Sequence, residues 1–590
     1  MKKLKKIYYL FNPVEQRQFI FLLFLIFLTG LIDSLGIVSI FPFITLIMNP
    51  NIIENNNFLG YFYQASTIIG VSNIDQFIFF LGTIIFITLI LSAIIRAAGH
   101  YFQIRFAMMR EYSIGKTLLE NYLGQSYTWF LNQNSVDLGK NILSEVRKVI
   151  HHTVIPLINF IASVTTVIIL ITLLFFVDAV LTFLVGLILL GAYGIIYYFS
   201  KSFLHYLGKQ STKSNVSRFD AISEAFSSIK EIKFSAAEKN YINRFKEYGK
   251  IYAQTESAAS TISILPRYLI EGLSFSLVIL IFLFYIGTSQ KVDTFVPTLA
   301  LYAFASYRLL PALQNSFYAI THIKWSEASF EKIYYDLKNL KQYDNINSKN
   351  NISFKKSIIL NNVSFKYPQA KYNSIENIDI TIPFLGNVGI IGKTGSGKTT
   401  IVDIILGLLP PENGTLRVDG VLINHNNRQS WQKNIGYVPQ QIYLADTSVA
   451  TNIAFGVKIN DINQKAIERA SKLAGIHDFI MEELPDNYQT SIGERGVRLS
   501  GGQRQRIGIA RALYHQPKLL ILDEATNALD NFTQNSIFDS INNLEKNITI
   551  ITITHQLNAV KNCDIIYFLE NGKLKFKGKF AGVARLGILK

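Results

Sequence analysis

Two long stretches of the chain contain no lysine or arginine: Phe19 to Ile95 and Val149 to Ser200. Both are strongly apolar, and the basic residues behind the formal net charge of +16 lie in the segments between and after them. An apolar run of about 20 residues is long enough to cross a bilayer as a helix, and basic residues concentrate on the cytoplasmic side of membrane proteins. The first half of the chain therefore predicts a helical membrane domain.

We predict about six spans, an even number that leaves both ends of this domain in the cytoplasm. The helical pattern continues after Arg96 and Lys201 but becomes charged, so the flanking helices should extend far beyond the membrane. The expected fold for 1–343 is an all-α six-helix transmembrane domain with long cytoplasmic helix extensions. The spans are predicted near Phe19 to Met48, Phe77 to Ile95, Val154 to Val177, Leu181 to Phe199, Tyr268 to Ile286 and Phe295 to Ala319.

Charge and cysteine content exclude several functions. A pI near 9.4 would suit a nucleic-acid-binding protein. The basic residues follow the membrane topology instead, so we expect no nucleic acid among the partners. The single cysteine, Cys563, leaves no intrachain disulfide and no cluster of thiolate ligands.

A change of pattern marks a second domain. An Asn/Ser-rich segment predicts a linker at 344–357, and from Ile358 onward short strands alternate with helices. This alternation is typical of α/β folds, so we expect a soluble α/β domain at 358–590.

The chemistry of that domain is indicated by a phosphate-loop motif. It follows the apolar strand Val388 to Ile391 and precedes a helix, as the motif requires. Glycines let backbone N–H groups point at a phosphate, Lys398 should reach the outer phosphates, and the Thr399 hydroxyl should bind Mg²⁺. The motif comprises Gly392, Lys393, Thr394, Gly395, Ser396, Gly397, Lys398 and Thr399, with Thr400 next in the helix.

Further motifs support nucleotide chemistry. A continuous apolar strand, Leu519 to Leu522, ends in Asp523 and Glu524. We expect Asp523 to hold Mg²⁺ and Glu524 to activate water; a solvated sheet edge is the alternative. Tyr367 is predicted to stack on adenine, with a core tyrosine as the alternative.

A second glycine-containing loop precedes a later helix and offers another anion site. It comprises Ser500, Gly501, Gly502 and Gln503. An ordinary phosphate-loop enzyme has no use for such a loop. Nothing in the sequence indicates that it reaches the phosphate loop of its own chain.

These motifs, in this order, resemble the ATP-binding cassette of ABC transporters, with a P-loop ATPase fold and a membrane domain ahead of it. The resemblance implies that Glu524, His555 and Lys398 are catalytic and that Gln440 and Asp523 join Thr399 around Mg²⁺. It also implies that Gly493 to Gly496 form the X-loop of the exporters and that Asp530, at the end of the D-loop, contributes to ATP binding.

The same resemblance implies ATP and Mg²⁺ as cofactors, and a homodimer in which the Ser500 loop of one copy closes on the phosphate loop of the other. It further implies a multi-pass protein of the bacterial inner membrane with its ATPase domain in the cytoplasm. The turns near Trp129 and Lys230 correspond to the segments that couple the two domains in this family.

The substrate is indicated by a second, shorter resemblance. The region Leu31 to Ile47 is similar to PglK-type flippases of lipid-linked oligosaccharides, which implies a pyrophosphate-bearing glycolipid and a cationic cavity. Arg308 is the cationic candidate, whereas Arg267 and Lys324 suit the membrane interface better. Asp33 is a candidate cavity or gating residue, with a polar pair within the helix bundle as the alternative. The alternatives are an exporter of peptides or drugs and, more remotely, a non-transport ABC ATPase.

Overall fold

The computed structural model describes residues 2–48, 50, 53, 57–68, 70–287, 292–341, 352–493, 496–524 and 548–585. The chain divides into two compact units. One comprises Met1–Gln125 and Gln133–Tyr343, and the other comprises Asp344–Lys590 together with the short segment Ser126–Asn132.

The amino-terminal unit is helical throughout its described part. Two π-helical segments, Asn141–Glu145 and Ile150–Val154, connect three α-helical pieces into one run from Ser135 to Val177. The described α-helices are Lys2–Tyr9, Pro13–Val38, Ile40–Met48, Asn57–Thr67, Ile74–Leu123, Ser135–Lys140, Val146–Val149, Ile155–Val177, Ala179–Ser227, Ile229–Ser235, Glu238–Gly287, Val292–Trp325 and Glu327–Asn339; the segment Tyr127–Phe130 is also helical but belongs to the other unit.

Three of these helices, Ile74–Leu123, Ala179–Ser227 and Glu238–Gly287, contain 50, 49 and 50 residues. At about 1.5 Å per residue each is more than twice as long as the roughly 30 Å hydrocarbon layer is thick. Because only one part of each is strongly apolar, the remainder must extend into water. The predicted long extensions are confirmed.

Five described helical runs are long and apolar enough to cross a membrane. They contain the second, third and fourth predicted spans and overlap the first and the fifth. The sixth predicted span lies in the helix Val292–Trp325, whose side chains up to residue 299 are outside the described set, so the count of six stays a prediction. The five runs are Pro13–Ile32, Ile74–Leu123, Ser135–Val177, Ala179–Ser227 and Glu238–Leu280.

The first predicted span is divided in the structure. One helix ends at Val38 and a second runs from Ile40 to Met48. Pro42 explains the division, because a proline lacks an N–H donor and is tolerated only near the start of a helix. The polar segment after Met48 contains the helix Asn57–Thr67.

The carboxyl-terminal unit contains two sheets. A four-stranded antiparallel sheet has the order β2-β1-β4-β5, and a six-stranded sheet has the order β10-β9-β3-β8-β7-β6. The strands are β1 (Ser357–Phe365), β2 (Ile375–Pro383), β3 (Asn387–Gly392), β4 (Asn413–Val418), β5 (Val421–Leu422), β6 (Ile435–Val438), β7 (Leu519–Asp523), β8 (Thr549–Thr554), β9 (Ile565–Glu570) and β10 (Lys573–Gly578).

Parallel pairing brings the motifs together. β8 lies between β3 and β7, with Thr554 opposite Ile391 and Ile553 opposite Asp523. The residues that follow these three strands therefore meet at one edge of the sheet, which is where α/β proteins bind ligands.

Helices cover the sheets, and their apolar faces form two cores. One core lies beneath the phosphate-loop helix and includes the fully buried Trp431, and the other lies under the helix Gly501–Leu513. The described α-helices of this unit's main part are Lys398–Ile405, Arg428–Gln432, Val449–Ile453, Gln464–Leu473, His477–Glu482, Gly501–Leu513 and Phe580–Arg585.

Candidate functional site

The phosphate loop connects the end of β3 to the helix that begins at Lys398. The Lys398 ammonium folds back over the loop and donates to the carbonyl oxygens of Gly392 and Lys393 at 2.8 and 3.0 Å. Gly395 and Gly397 have φ of +79° and +98°, a region that favours glycine. The loop thus has the curvature that lets backbone N–H groups converge on a phosphate.

Close packing fixes this curvature. A Cβ on Gly397 would lie 2.6 Å from Ile375 Cγ2, and one on Gly392 would lie 2.4 Å from the Leu569 carbonyl oxygen. Inside the loop, the Ser396 hydroxyl is buried and has no hydrogen-bond partner among the described residues. A buried hydroxyl without a partner is costly unless a ligand satisfies it, so the loop fits a phosphate group.

Glu524 lies between two side chains that were predicted to act with it. The Gln440 amide donates to Oε2 of Glu524 at 2.7 Å, and Nδ1 of His555 lies 3.1 Å from Oε1. The backbone N–H of Glu524 donates to the Ile553 carbonyl at 2.9 Å, which fixes the carboxylate at the sheet edge. A carboxylate held from both sides is suited to orient and deprotonate a water molecule.

Asp523 is buried beside Glu524 and accepts a hydrogen bond from the Tyr437 hydroxyl at 3.3 Å. Burial raises the pKa of Asp523, and the neighbouring Glu524 carboxylate raises it further. Burial also lowers the pKa of Lys398, an effect that Glu524 and Asp523 partly offset. The charges of both carboxylates therefore act on the Lys398 ammonium.

Mg²⁺ is the metal that this donor set suits. No described group of three or more His, Cys, Asp or Glu could hold a metal without further ligands. Mg²⁺ needs no such cage, because it combines one carboxylate and one hydroxyl with water and phosphate oxygens. The residues predicted to hold it are Asp523, the exposed Thr399 and, through its amide oxygen, Gln440; this assignment stays a prediction.

Tyr367 lies beside the start of the phosphate-loop helix. Its hydroxyl is 3.2 Å from Thr400 Oγ1, which is also 2.9 Å from the Ser374 hydroxyl. The ring is half-buried and packs edge-on against Phe365 at 5.1 Å. The Tyr367 ring is therefore only partly covered, which is compatible with the predicted stacking on adenine.

The second anion loop forms a well-ordered helix start. Ser500 Oγ accepts from the Gln503 N–H at 3.2 Å, and the Gln503 side chain accepts from the Ser500 N–H at 2.8 Å. This reciprocal pair is a capping box, and it orients the free N–H groups of Gly501 and Gly502 along the helix axis. Ser500 is exposed, so the loop presents these groups at the surface.

Two family models match the chain. The ABC transporter transmembrane region matches residues 19–308, and the ABC transporter model matches residues 375–527. The chain is an ABC transporter. Its carboxyl-terminal unit is therefore the cassette, and its amino-terminal unit is the multi-pass membrane domain.

Several relatives are similar over part of their length. A putative export ATP-binding/permease protein of Rickettsia bellii is 30% identical over 382 residues, which are 64% of this transporter and 65% of that protein. HepA, a heterocyst differentiation ATP-binding protein of Nostoc, is 35% identical over 290 residues, 48% and 46% of the two chains. An ATP-dependent lipid A-core flippase of Saccharophagus degradans is 40% identical over 215 residues, 38% and 36% of the two chains. The transporter spans less than two thirds of each relative.

A solved structure of a bacterial Atm1-family ABC exporter with ATP bound has the same fold. The TM-score is 0.77 at 20% identity, over 98% of this transporter and 97% of that chain. At that identity the likeness concerns the fold alone. It confirms a helical membrane domain fused to an α/β cassette.

The membrane domain of the transporter contains a cavity of about 540 Å³ at the predicted residue Arg308. Arg96 and Arg308 lie in its wall with the aromatic rings of Phe275, Phe304 and Tyr307. A neighbouring cavity of about 390 Å³ is lined by Arg267, which lies 3.8 Å from Glu271, while Lys324 pairs with Glu327 at 2.6 Å.

Some predicted residues lie outside the described set. They are Asp530 with the rest of 525–547, residues Glu494 and Arg495 of the loop before Ser500, and the side chain of Asp33. Their roles stay predictions.

The sequence offered no reason to assign a role to three residues of this site: Ser374, Tyr437 and Asp403. Tyr437 stands three residues before Gln440, and this short spacing is the one signal that could have identified it. No local pattern identifies Ser374 or Asp403. Asp403 is nevertheless coupled to the site, because burial raises its pKa to about 6 and the charge of Asp523 adds to the effect.

Proposed function

We propose that the transporter is one half of a homodimer that hydrolyses ATP to move an amphipathic anionic lipid, a lipid-linked oligosaccharide, across the bacterial inner membrane. The observation that carries the proposal is the cavity at Arg308. Arg96 and Arg308 suit a phosphate or pyrophosphate group, and the rings of Phe275 and Phe304 suit the hydrocarbon beside it. Cationic side chains inside a membrane domain are costly and mark a functional site.

The cassette supplies the driving reaction. Glu524, held by Gln440 and His555, takes a proton from the water that attacks the γ-phosphate of ATP, and ADP leaves. Lys398 and the loop N–H groups stabilise the charge on the transferred phosphoryl group. Mg²⁺ bound by Thr399 and Asp523 would neutralise phosphate charge. Tyr367 positions the adenine.

The Ser500 loop supports the proposal that two copies of the chain form a dimer. Its oriented N–H groups form an anion site at the cassette surface, where the Ser500 and Gln503 side chains each accept a hydrogen bond from the backbone N–H of the other residue. Closing that loop over ATP bound at Lys398 of another copy would use both sites. ATP would then favour the closed dimer and hydrolysis would release it.

Complementation between two inactive variants tests the dimer. Lys398→Ala and Ser500→Arg should each abolish turnover alone. A co-expressed mixture should regain activity, because the mixed dimer holds one site with both defects and one site with neither. If each loop serves its own chain, the mixture stays inactive and the dimer proposal fails.

Reconstitution in liposomes tests the substrate. A polyprenyl pyrophosphate-linked oligosaccharide should accelerate ATP turnover. Arg308→Gln should raise the concentration of this lipid needed for half-maximal stimulation about tenfold or more. Arg244→Gln is the matched control, because Arg244 pairs with Glu224 on an exposed helix. Glu524→Gln should lose about 10²-fold or more of all turnover.

The same assay separates the alternatives. An exporter of peptides or drugs would be stimulated by those compounds and would tolerate Arg308→Gln. A non-transport ABC ATPase would respond to neither class, and its five apolar helices of spanning length would have no purpose. The similarity to lipid A-core flippases supports a lipid, whereas the glycan part of the substrate rests on the Leu31 to Ile47 resemblance.

A further inference from the structure

A groove separate from the Arg308 cavity lies between the helices Pro13–Val38 and Ile74–Leu123. It has a volume of about 600 Å³. Its wall combines cationic and apolar side chains, and it shares no residue with the cavity at Arg308. The residues that matter for its chemistry are Arg17, Phe21, Phe102, Arg105, Phe106 and Arg110.

Arg110, one of the residues that line the groove, belongs to a buried ion pair. Arg110 Nη1 lies 2.8 Å from Glu15 Oε1, and their side chains are only 8% and 6% exposed. The guanidinium also lies over the Phe106 ring at 5.0 Å. Its Nε is buried and has no hydrogen-bond partner among the described residues. A buried guanidinium donor without an acceptor points to a ligand oxygen in the groove.

The rim of the groove carries two more cations. Arg17 is exposed, and it forms no ion pair with a described residue. Arg105 donates a hydrogen bond to the Tyr101 hydroxyl at 3.4 Å and forms no ion pair within the described part of the chain. With Glu15 matched by Arg110, the groove keeps a net charge of about two positive units. These charges favour an anionic occupant over a neutral one, because an anion would be attracted to both guanidinium groups.

The position of the rim matches the membrane surface. Arg17 stands two residues before the apolar run that begins at Phe19, and Tyr101 and Phe102 are exposed aromatic residues of the kind found at the interface. Above Arg17, the exposed rings of Phe21 and Phe24 continue along the helix into the hydrocarbon layer. An occupant with an anionic head and an apolar tail would contact both parts.

We propose that this groove binds an anionic phospholipid of the cytoplasmic leaflet, with its phosphate between Arg17, Arg105 and Arg110 and an acyl chain along Phe21. The groove is a binding site for a resident lipid and not part of the transport cavity. A second copy of the chain would suit it less, because the acid at the groove is already paired with Arg110.

Photo-crosslinking in nanodiscs tests this assignment with the full-length protein. The probe is phosphatidylglycerol with a diazirine high on one acyl chain, diluted in phosphatidylcholine. We expect crosslinks on the peptides around Phe21 and Phe102, and at least a tenfold lower yield in the double variant Arg17→Gln, Arg105→Gln, because each interfacial cation contributes about fivefold. Unlabelled phosphatidylglycerol should compete, and inorganic phosphate should not.

Two controls make the outcome decisive. Lys201→Gln removes a cation that lies over the Tyr198 ring on another helix, and it should leave the yield unchanged. A phosphatidylcholine probe should label the groove at least tenfold less in the wild type. Equal labelling by both probes, or an unchanged yield in the double variant, would overturn the proposal. The absence of crosslinks in the groove would also overturn the proposal, and it would indicate that protein and not lipid covers the groove.

Discussion

The Tyr437 hydroxyl donates a hydrogen bond to Oδ2 of Asp523 at 3.3 Å, across the parallel strands β6 and β7. Burial raises the pKa of Tyr437, and the charge of Asp523 adds to the effect, so the hydroxyl stays protonated and remains a donor. The bond fixes the orientation of the carboxylate predicted to bind Mg²⁺.

Tyr437→Phe should therefore weaken the response to Mg²⁺. A hydrogen bond to a charged group contributes about 1.5–3 kcal/mol, so half-maximal ATP turnover should need about tenfold more Mg²⁺. The measurement is turnover against free Mg²⁺ at saturating ATP. Tyr443→Phe, at an exposed site of the same unit, is the control. Identical Mg²⁺ curves would show that Tyr437 only fills space.

Gln440 and His555 hold opposite oxygens of Glu524, and we expect their substitutions to be non-additive. His555→Ala should lower kcat about 10²-fold, because the general base loses its orientation. The double variant with Gln440→Ala should lose scarcely more, since both side chains act through one carboxylate. The check is a double-mutant cycle on kcat, with ATP binding measured separately. Fully additive losses would mean that each residue acts on its own.

The meeting of Lys398, Asp523 and His555 was predictable from the sequence. Each follows a short apolar strand, and the ends of parallel strands share one edge of a sheet. The capping box at Ser500 was equally local, because it needs only residues three apart in the chain.

Contacts between distant parts of the chain were not predictable. Tyr367, Ser374 and Thr400 meet because β1 and β2 pack beside the phosphate-loop helix, and no local pattern encodes that placement. The division of the first span at Ser39 could have been read from Pro42, but the apolar run on both sides concealed it. The groove at Arg110 likewise depends on how two helices pack.

Asp403 should make the stability of the cassette depend on pH. Its pKa is raised from 3.8 to about 6 in the folded protein, so the folded state binds the proton more tightly than the unfolded state. Stability from this group is present below about pH 4 and is lost as the pH rises through 6. Asp403→Asn should prevent this loss of stability, because asparagine has no carboxyl group to lose a proton.

The gain in the cassette's melting temperature from Asp403→Asn should thus be small near pH 4, increase up to pH 6 and stay constant above. Melting curves of the detergent-purified transporter at several pH values would measure it. Asp461→Asn, at an exposed site, should shift the melting temperature equally at every pH. A gain from Asp403→Asn that is independent of pH would contradict the assignment.

Alanine substitutions at Gly395 and Gly397 distinguish backbone strain from steric overlap in the phosphate loop. Both have positive φ, but a Cβ on Gly397 would meet Ile375 Cγ2 at 2.6 Å and the Ser374 carbonyl oxygen at 2.8 Å, whereas a Cβ on Gly395 meets nothing within 4 Å. Gly395→Ala should cost about 1–2 kcal/mol and leave measurable ATP affinity. Gly397→Ala should displace the loop and abolish ATP binding in an equilibrium assay. Comparable ATP affinities in the two variants would mean that the loop shifts freely.

At Gly208 two long helices of the membrane domain approach each other closely. A Cβ there would lie 2.1 Å from the Trp325 carbonyl oxygen, a backbone atom that cannot rotate away. Gly208→Ala must therefore separate the helices Ala179–Ser227 and Val292–Trp325, at a cost of about 1–3 kcal/mol or more. Gly194→Ala, on the same helix with nothing within 4 Å of its added methyl, is the matched control. Thermal unfolding in detergent should show a lower midpoint for Gly208→Ala alone, and equal midpoints for the two variants would refute this close packing.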